Sequence, residues 1–433
     1  MRRKSISGIR VLLLVIGILV SSGGTLLAAG DAVSTDELRS LREKLRTLEE
    51  KTAAQEKALE EQKRAACEIV EKVDVINRRL GVRLPEEGPC WHESVTIDAA
   101  LLAVGQGSSG VREAGDKTDG SLRMQFGLTS TAIKNGIIRL DFWQGEGDGL
   151  TTEIDSFTGT NDTTYTTDGQ EVIYEAWYQH KFFDGKLSAT VGKIDFTNYF
   201  DANGIAGCEC SQFLASGFVW NPAIEWAADS LGAVIDIAPQ ESLYLRVGAS
   251  GTNNWEDILS HPFAIAEFGI SGEWPHPGNY RVYSWLNASR HDKYADLTAG
   301  ATSDDTAWGA GFSFDQYVTE DIGLFARAGY QAEDYYPSDL FWSVGGHILG
   351  RGWNRPDDAL GIAYGVADLS DEYKTYLGNN SITKDEKHIE VYYRFQVNEK
   401  LSVSPDFQVL FNPLGNDRED EVYLMALRGY VEF

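Results

Sequence analysis

Past residue 30 the chain has no apolar run approaching the roughly 18 residues of a membrane-spanning helix, so any crossing of a bilayer falls to strands. Basic clusters are equally scarce. The formal charge is -27, and -31 once the cations Arg2, Arg3, Lys4 and Arg10 of the N-terminal segment are removed, a surface that repels nucleic acid. Only four cysteines occur, and Cys208-Glu-Cys210 lacks the histidines or second cysteine pair of a zinc site, so no metal is expected. The histidines, His92, His180, His261, His276, His291, His347 and His388, are scattered, and no serine motif accompanies them. Nucleophile, base and orienter are therefore missing, and the chain is not read as an enzyme. Gly145-Glu-Gly-Asp-Gly149 is followed by no lysine and its own acids repel phosphate, so it is a hairpin loop and not a nucleotide cradle. No cofactor is implied.

What is present divides into four stretches. Cations up to Arg10, an apolar run from Val11 to Val20 and small residues through Gly30 make residues 1–30 a secretory signal peptide, with cleavage between Ala28 and Ala32. In an exported chain the cysteines favour disulfides. Cys208 and Cys210 form a local bridge or stay as two thiols, and Cys67 and Cys90 pair if the chain turns back at Pro85 to Pro89.

Residues 31–84 form the second stretch, polar and charged. Leu38, Leu45, Leu59, Ala66, Val73 and Leu80 keep a seven-residue beat, with Leu41, Leu48, Ile69 and Ile76 three positions on, interrupted by Thr52, Gln55 and Gln62. That repeat predicts a left-handed coiled coil, and roughly 45 residues make a rod of about 65 Å. One helix with so narrow a stripe has no core of its own, so partner chains are expected, as in a trimer sharing one axis. A single helix lying on another part of the chain is the simpler alternative. Pro85, Gly88 and Pro89 end the helix and make 85–94 a linker.

From Trp91 the period changes from seven to two. Sixteen strand-like runs follow between Val95 and Phe433, rich in aromatics and separated by glycine turns. Starting from a periplasmic N-terminus, every even connection is short and the odd ones are long or irregular, among them 146–170, 197–229, 289–307 and 367–386. Bacterial outer-membrane barrels sort their connections this way. The fold class is an all-β membrane protein, a 16-stranded antiparallel transmembrane β-barrel (95–433) preceded by an α-helical coiled-coil segment in the periplasm.

Registering each strand by its apolar face turns Arg123, Arg139, Arg246, Arg281, Arg327, Arg394 and Arg428 inward, with Asp141, Glu175, Asp236, Glu267, Glu390 and Asp406. An outward Arg at the bilayer midplane costs about 2–4 kcal/mol. Arg139, Arg246, Arg327 and Arg394, mid-strand, are expected to contact solute. Trp177, Tyr283, Trp285 and Tyr392 also face inward and offer stacking faces for sugar rings; Tyr174, Tyr393, Tyr423 and Phe433 face outward as an interfacial girdle. One strand breaks parity, because Lys193 and Asp195 continue the face of Leu187, Ala189 and Val191. A bulge at Gly192 would restore the alternation and turn both charges into the lumen.

The run VGKIDFTNYFDANGIAGCECSQFL, the segment FWQGEGDGL and the late string IEVYYRFQVNEKLSVSPDFQVLFNPLGN resemble the carbohydrate-selective porin family, the OprB type, over roughly Ser121 to Phe433. The resemblance implies an outer-membrane barrel that passes sugars by diffusion past an inward-folded loop. It assigns Lys193, Asp195, Phe200, Asp201, Asn203, Glu209 and Gln212 to the wall and loop of the narrow zone. Sugars, ions and outer-membrane lipids are the expected partners, with a homotrimer through barrel and coiled coil. The rival reading is a structural tether in which the rod links the outer membrane to the periplasm or cell wall.

Overall fold

The computed structural model describes Lys57 and residues 94–433, apart from 112–114, 164–172, 228–230, 253–257, 379–383 and 419–420. The signal peptide, the coiled-coil stalk apart from Lys57, the linker up to 93, and Cys67 and Cys90 lie outside the described residues. No described helix is long and apolar enough to cross a membrane.

Sixteen strands close into one barrel in which each is bonded to its sequence neighbours. They are β1 (Val95–Ser109), β2 (Thr118–Ser130), β3 (Gly136–Glu146), β4 (Glu175–Phe182), β5 (Leu187–Lys193), β6 (Leu231–Gln240), β7 (Leu243–Gly251) and β8 (Pro262–Glu273). The second half is β9 (Pro277–His291), β10 (Asp305–Tyr317), β11 (Ile322–Gln331), β12 (Ser338–Gly350), β13 (Arg355–Leu369), β14 (Glu386–Asn398), β15 (Leu401–Phe411) and β16 (Val422–Glu432). The seam closes β1 on β16 antiparallel, from Ala100 opposite Glu432 to Ser109 opposite Tyr423. Closure leaves no strand edge unpaired, which hydrocarbon surroundings require of any backbone that is not helical.

Period-two sequence becomes two-faced strand throughout. In β16, Val422, Leu424, Ala426 and Arg428 are buried inside, while Met425, 68% exposed, alternates outward with Tyr423 and Leu427. The short turns cluster at one end. Left-handed residues make two of them possible: Asn135 before β3, and Phe183-Asp184-Gly185 between β4 and β5. The long connections lie at the other end, and the longest, residues 194–230, joins β5 to β6.

The barrel is not empty. Ile194, Phe196, Phe200 and Ile224 of that long loop pack with inward Val234, Phe263, Ile265, Tyr283 and Trp285. Ile205, Phe213 and Phe218 pack with Phe325, Ala359, Ala363 and Tyr392. The hydrophobic core therefore lies inside the barrel, between the loop and one side of its wall.

This core explains the parity break at β5, and not by a bulge. The pairing runs unshifted from Phe182–Leu187 to Ala176–Lys193 on one side and from Leu187–Ile237 to Lys193–Leu231 on the other. Gly192 instead takes φ +146°, and a Cβ there would sit 2.2 Å from the Ala176 carbonyl oxygen. Lys193 stays in phase with outward Val191, and its Nζ donates to the Ile173 carbonyl at 2.8 Å. Its expected place in the lumen is thus corrected. Ile194, 1% exposed, and Phe196 turn inward because an apolar surface awaits them there.

Candidate functional site

Residues 194–227 enter the barrel through a polar hinge. The Asp195 carboxylate accepts from the Thr197 amide (2.9 Å) and hydroxyl (2.7 Å) and from the Tyr174 hydroxyl. Its own amide donates to Glu175 at 3.0 Å. The chain then crosses to β11. Asp201, at φ 55°, meets Arg327, whose guanidinium Nε lies 2.9 Å from its carboxylate. The other guanidinium nitrogens donate to the carbonyls of Asp201, Ala206, Phe218 and Val219. One buried cation thus satisfies both legs of the loop, as a charge in an apolar interior demands. Burial pushes the Asp201 carboxyl above its ordinary value, against the pull of Arg327 and of the Asn221 amide.

Further strands hold the loop in the same manner. Glu267 of β8 accepts the Asp201 amide at 2.8 Å, and Asn203 donates to Ser313 of β10 at 3.1 Å. Glu390 of β14 accepts the amides of Leu214 and Ala215. Asn221 donates to Tyr283 and Trp285 donates to the Ala223 carbonyl.

Between the two legs lies the tip. Cys208 and Cys210 are joined in a disulfide with Cα atoms 5.3 Å apart. Gln212 closes the turn, its Oε1 accepting the Gly207 (2.7 Å) and Cys208 (3.1 Å) amides and its Nε2 donating to the Gly204 carbonyl. Glu209 pairs with Arg123 of β2, while Arg428 of β16 donates to the carbonyls of Glu209 and Gln212. The tip accordingly spans the interior from β11 to the β16–β2 seam. The preceding loop braces the returning leg: Gly217 donates to the Thr158 carbonyl, the Asp162 amide to that of Leu214, and Trp220 Nε1 to the Asp162 carboxyl at 3.0 Å. Burial, then the neighbouring Glu209, push the Asp162 carboxyl up to about 7.

The opposite wall stays uncovered. On β3 the Arg139 guanidinium bonds Asp98 of β1 at 2.6 and 2.9 Å, Asp141 at 2.6 Å and Thr129 at 2.8 Å. The Asp98 and Arg139 side chains are 42% and 22% exposed. A cavity of ≈ 230 Å³ opens here, bounded also by Gln125, Trp143, Glu175, Asn198 and Tyr430. Arg123 lies 4.3 Å over the Trp143 ring, which stacks on Tyr174 at 3.6 Å. Farther round, Arg246 pairs with Asp236 and donates to the Tyr199 carbonyl, and Arg281 pairs with Asp315 at 2.8 Å. Such alternating donors and acceptors suit a solute rich in hydroxyls.

The expected site residues therefore separate. Arg139, Asp141 and Arg246 meet the open interior, and Glu175 lines the cavity. Arg394 faces inward and donates to the carbonyls of Ser211 and Asp357. Trp177 is half-buried against the core. Arg327 and Glu390, at 1% and 0% exposure, are loop anchors out of reach of solute, and Tyr283, Trp285 and Tyr392 lie beneath the loop. Those five solute contacts are corrected. Within the loop, Phe200, Asp201 and Asn203 are buried anchors, whereas Glu209 and Gln212 belong to the more accessible tip. Tyr174 faces Trp143 and Asp195 inside, not the lipid girdle.

Asp98, Gln125, Trp143 and Tyr430 were not expected among the site residues. Trp143 shares the face of Arg139 and Asp141 and was within reach of the alternation. Asp98 was masked because its face of β1 continues into Leu102 and Val104, apolar yet inward.

The profile of the carbohydrate-selective porin, OprB family matches residues 122–433. An uncharacterized protein of Aquifex aeolicus is 25% identical over 267 residues, 61% of this chain and 70% of its own length. Porin B of Pseudomonas aeruginosa is 23% identical over 308 residues, 59% of this chain and 67% of its own. The high-pH structure of Pseudomonas putida OprB superposes with a TM-score of 0.70 at 17% identity, covering 79% of this chain and 95% of that one. That likeness carries the fold.

Proposed function

The chain belongs to the carbohydrate-selective porin, OprB family of outer-membrane channels, and from that premise we propose that small sugars and other hydrophilic solutes diffuse through a charged lumen narrowed by the inward loop. The observation that carries this reading is the reach of the loop tip from Arg327 on β11 to Arg123 and Arg428 at the seam. It confines the path to the side where Arg139, Asp98, Asp141 and Glu175 offer polar atoms. The same path passes ions. Diffusion down a gradient needs no energy source.

The oligomer in this proposal is a homotrimer. The heptad of 31–84 supports partner helices, since its stripe is narrow, and fits a dimer as well as a trimer. Liposome swelling with mono-, di- and trisaccharides, beside salt conductance, tests the reading. Rates falling steeply with sugar size are expected. Ion flux without sugar permeation would overturn the carbohydrate assignment and leave a general porin.

A further inference from the structure

Outside the barrel, at the rim where β13–β16 meet the long loops, lies a groove of ≈ 480 Å³ that the lumen does not share. Its orientation follows from register. Lys387 is opposite Val366 and Phe411, and Ile389 is opposite Tyr364 and Val409. The intervening Glu386, His388 and Glu390 are buried inside, so Lys387, Ile389, Tyr364 and Phe411 face away from the lumen. Phe411 ends β15 and Glu386 begins β14, which puts the groove where the lipid-facing wall gives way to the loops. Lys384 joins from the loop before β14, its amide donating to the Gly415 carbonyl at 3.3 Å.

Two features meet at this rim. Among the described residues Lys384 and Lys387 have no carboxylate within 4.0 Å, whereas the inward arginines Arg123, Arg139, Arg246, Arg281 and Arg327 each have one. A chain of charge -27 thus leaves two neighbouring cations unpaired beside a surface made for lipid. Across the groove stand Asp417 and Glu421, and its floor is Tyr364, Ile389 and Phe411.

We infer that this groove holds the phosphorylated sugar headgroup of an outer-leaflet glycolipid. Phosphate oxygens meet Lys384 and Lys387; sugar hydroxyl and amide hydrogens meet Asp417 and Glu421; an acyl chain descends over Tyr364, Ile389 and Phe411. Free phosphate would use only the lysines and would leave both the carboxylates and the apolar floor without a partner. Charge complementarity therefore selects a lipid, one with both anionic and hydroxylated parts.

The test uses the full chain folded in detergent, with bisphosphorylated lipid A as the probe and its dephosphorylated form and inorganic phosphate as comparators. Native mass spectrometry should show retained lipid A, weakened about tenfold in the double variant Lys384→Gln, Lys387→Gln and unchanged in Lys134→Gln at the opposite rim. Heat-modifiable mobility and sugar flux report that each variant has folded. Equal retention of lipid A by the double variant, or of the dephosphorylated lipid by the unaltered chain, overturns the inference. So does displacement of lipid A by inorganic phosphate at equal concentration.

Discussion

Arg327 with Asp201 and Arg139 with Asp98 are the same chemical pair in one barrel, yet they serve opposite ends. The first is sealed, with both side chains at 0% exposure and four further carbonyls on the guanidinium; the second faces water. Glu267, Arg327, Glu390 and Arg428, with Arg123 on β2, spend their charges on holding the loop. On β1 and β3, by contrast, Asp98, Arg139 and Asp141 line the cavity beside the loop and are kept for whatever passes. Lumen-facing charge is therefore not one property, and which role a residue takes depends on where residues 194–227 come to rest.

The largest effect is expected from breaking the sealed pair. Arg327→Met leaves the Asp201 carboxylate buried without its cation, a loss of about 3–5 kcal/mol. The strand ladder remains, so the barrel persists while the loop detaches. Conductance should rise and the trisaccharide swelling rate should approach that of the monosaccharide, with an earlier unfolding transition in urea. Adding Asp201→Asn, a residue that tolerates the left-handed backbone there, should recover part of the loss. A narrow pore in Arg327→Met would mean that the loop is held elsewhere.

Next in size is a pH effect on the same side. The folded Asp162 carboxyl titrates near 7, above the ordinary value of 3.8, so the folded loop binds this proton more tightly than the unfolded chain. Its contribution is fully present below about 3.8, declines as pH rises and is lost above about 7. Hydrogen-exchange protection of 158–163 and 213–220, corrected for intrinsic rates, should fall from pH 5 to 8. Asp162→Asn should flatten that profile, and an unchanged slope would assign it to another group.

Smaller still, in stability, is a change on the open side. The pair with Asp98, 42% exposed, contributes about 0–1 kcal/mol, and Asp141, 9% exposed, is the only buried carboxylate left short of a cation, so Arg139→Gln should shift the urea transition far less than Arg327→Met. Asp98 and Asp141 then lose their cation. Cation over anion permeability should rise, and sugar flux should change a few-fold as the fork of donors is lost. A collapse of folding would erase the distinction between the two sides.

The order of the sixteen strands and the alternation of short and long connections were legible because period and turn chemistry are local. Even the inward sense of the arginines followed from the cost of an outward charge. What was not legible is accessibility, since it depends on a loop folding back over strands far away in sequence. Glu390 and Trp285 alternate inward just as Arg139 does, and only contact with Leu214 or Ala223 separates them from it. The rule that apolar means lipid-facing fails for the same reason. Leu102, Tyr392 and Ile194 are apolar and inward because the loops give the interior a core of its own.

Lys193 is the smallest expected effect and the sharpest check on that lesson. It stands one residue before Ile194, at the point where the strand becomes the loop, and a lumen role would place a cation beside Asp195 and Glu175. Register through Gly192 instead keeps it outward, its ammonium reaching back to the Ile173 carbonyl. A long side chain at a membrane rim can do this at little cost by holding its charge in the interface. Lys193→Gln should therefore leave sugar flux, ion selectivity and conductance as they are. A shift in selectivity comparable to that of Arg139→Gln would put Lys193 in the path and extend the open wall to β5.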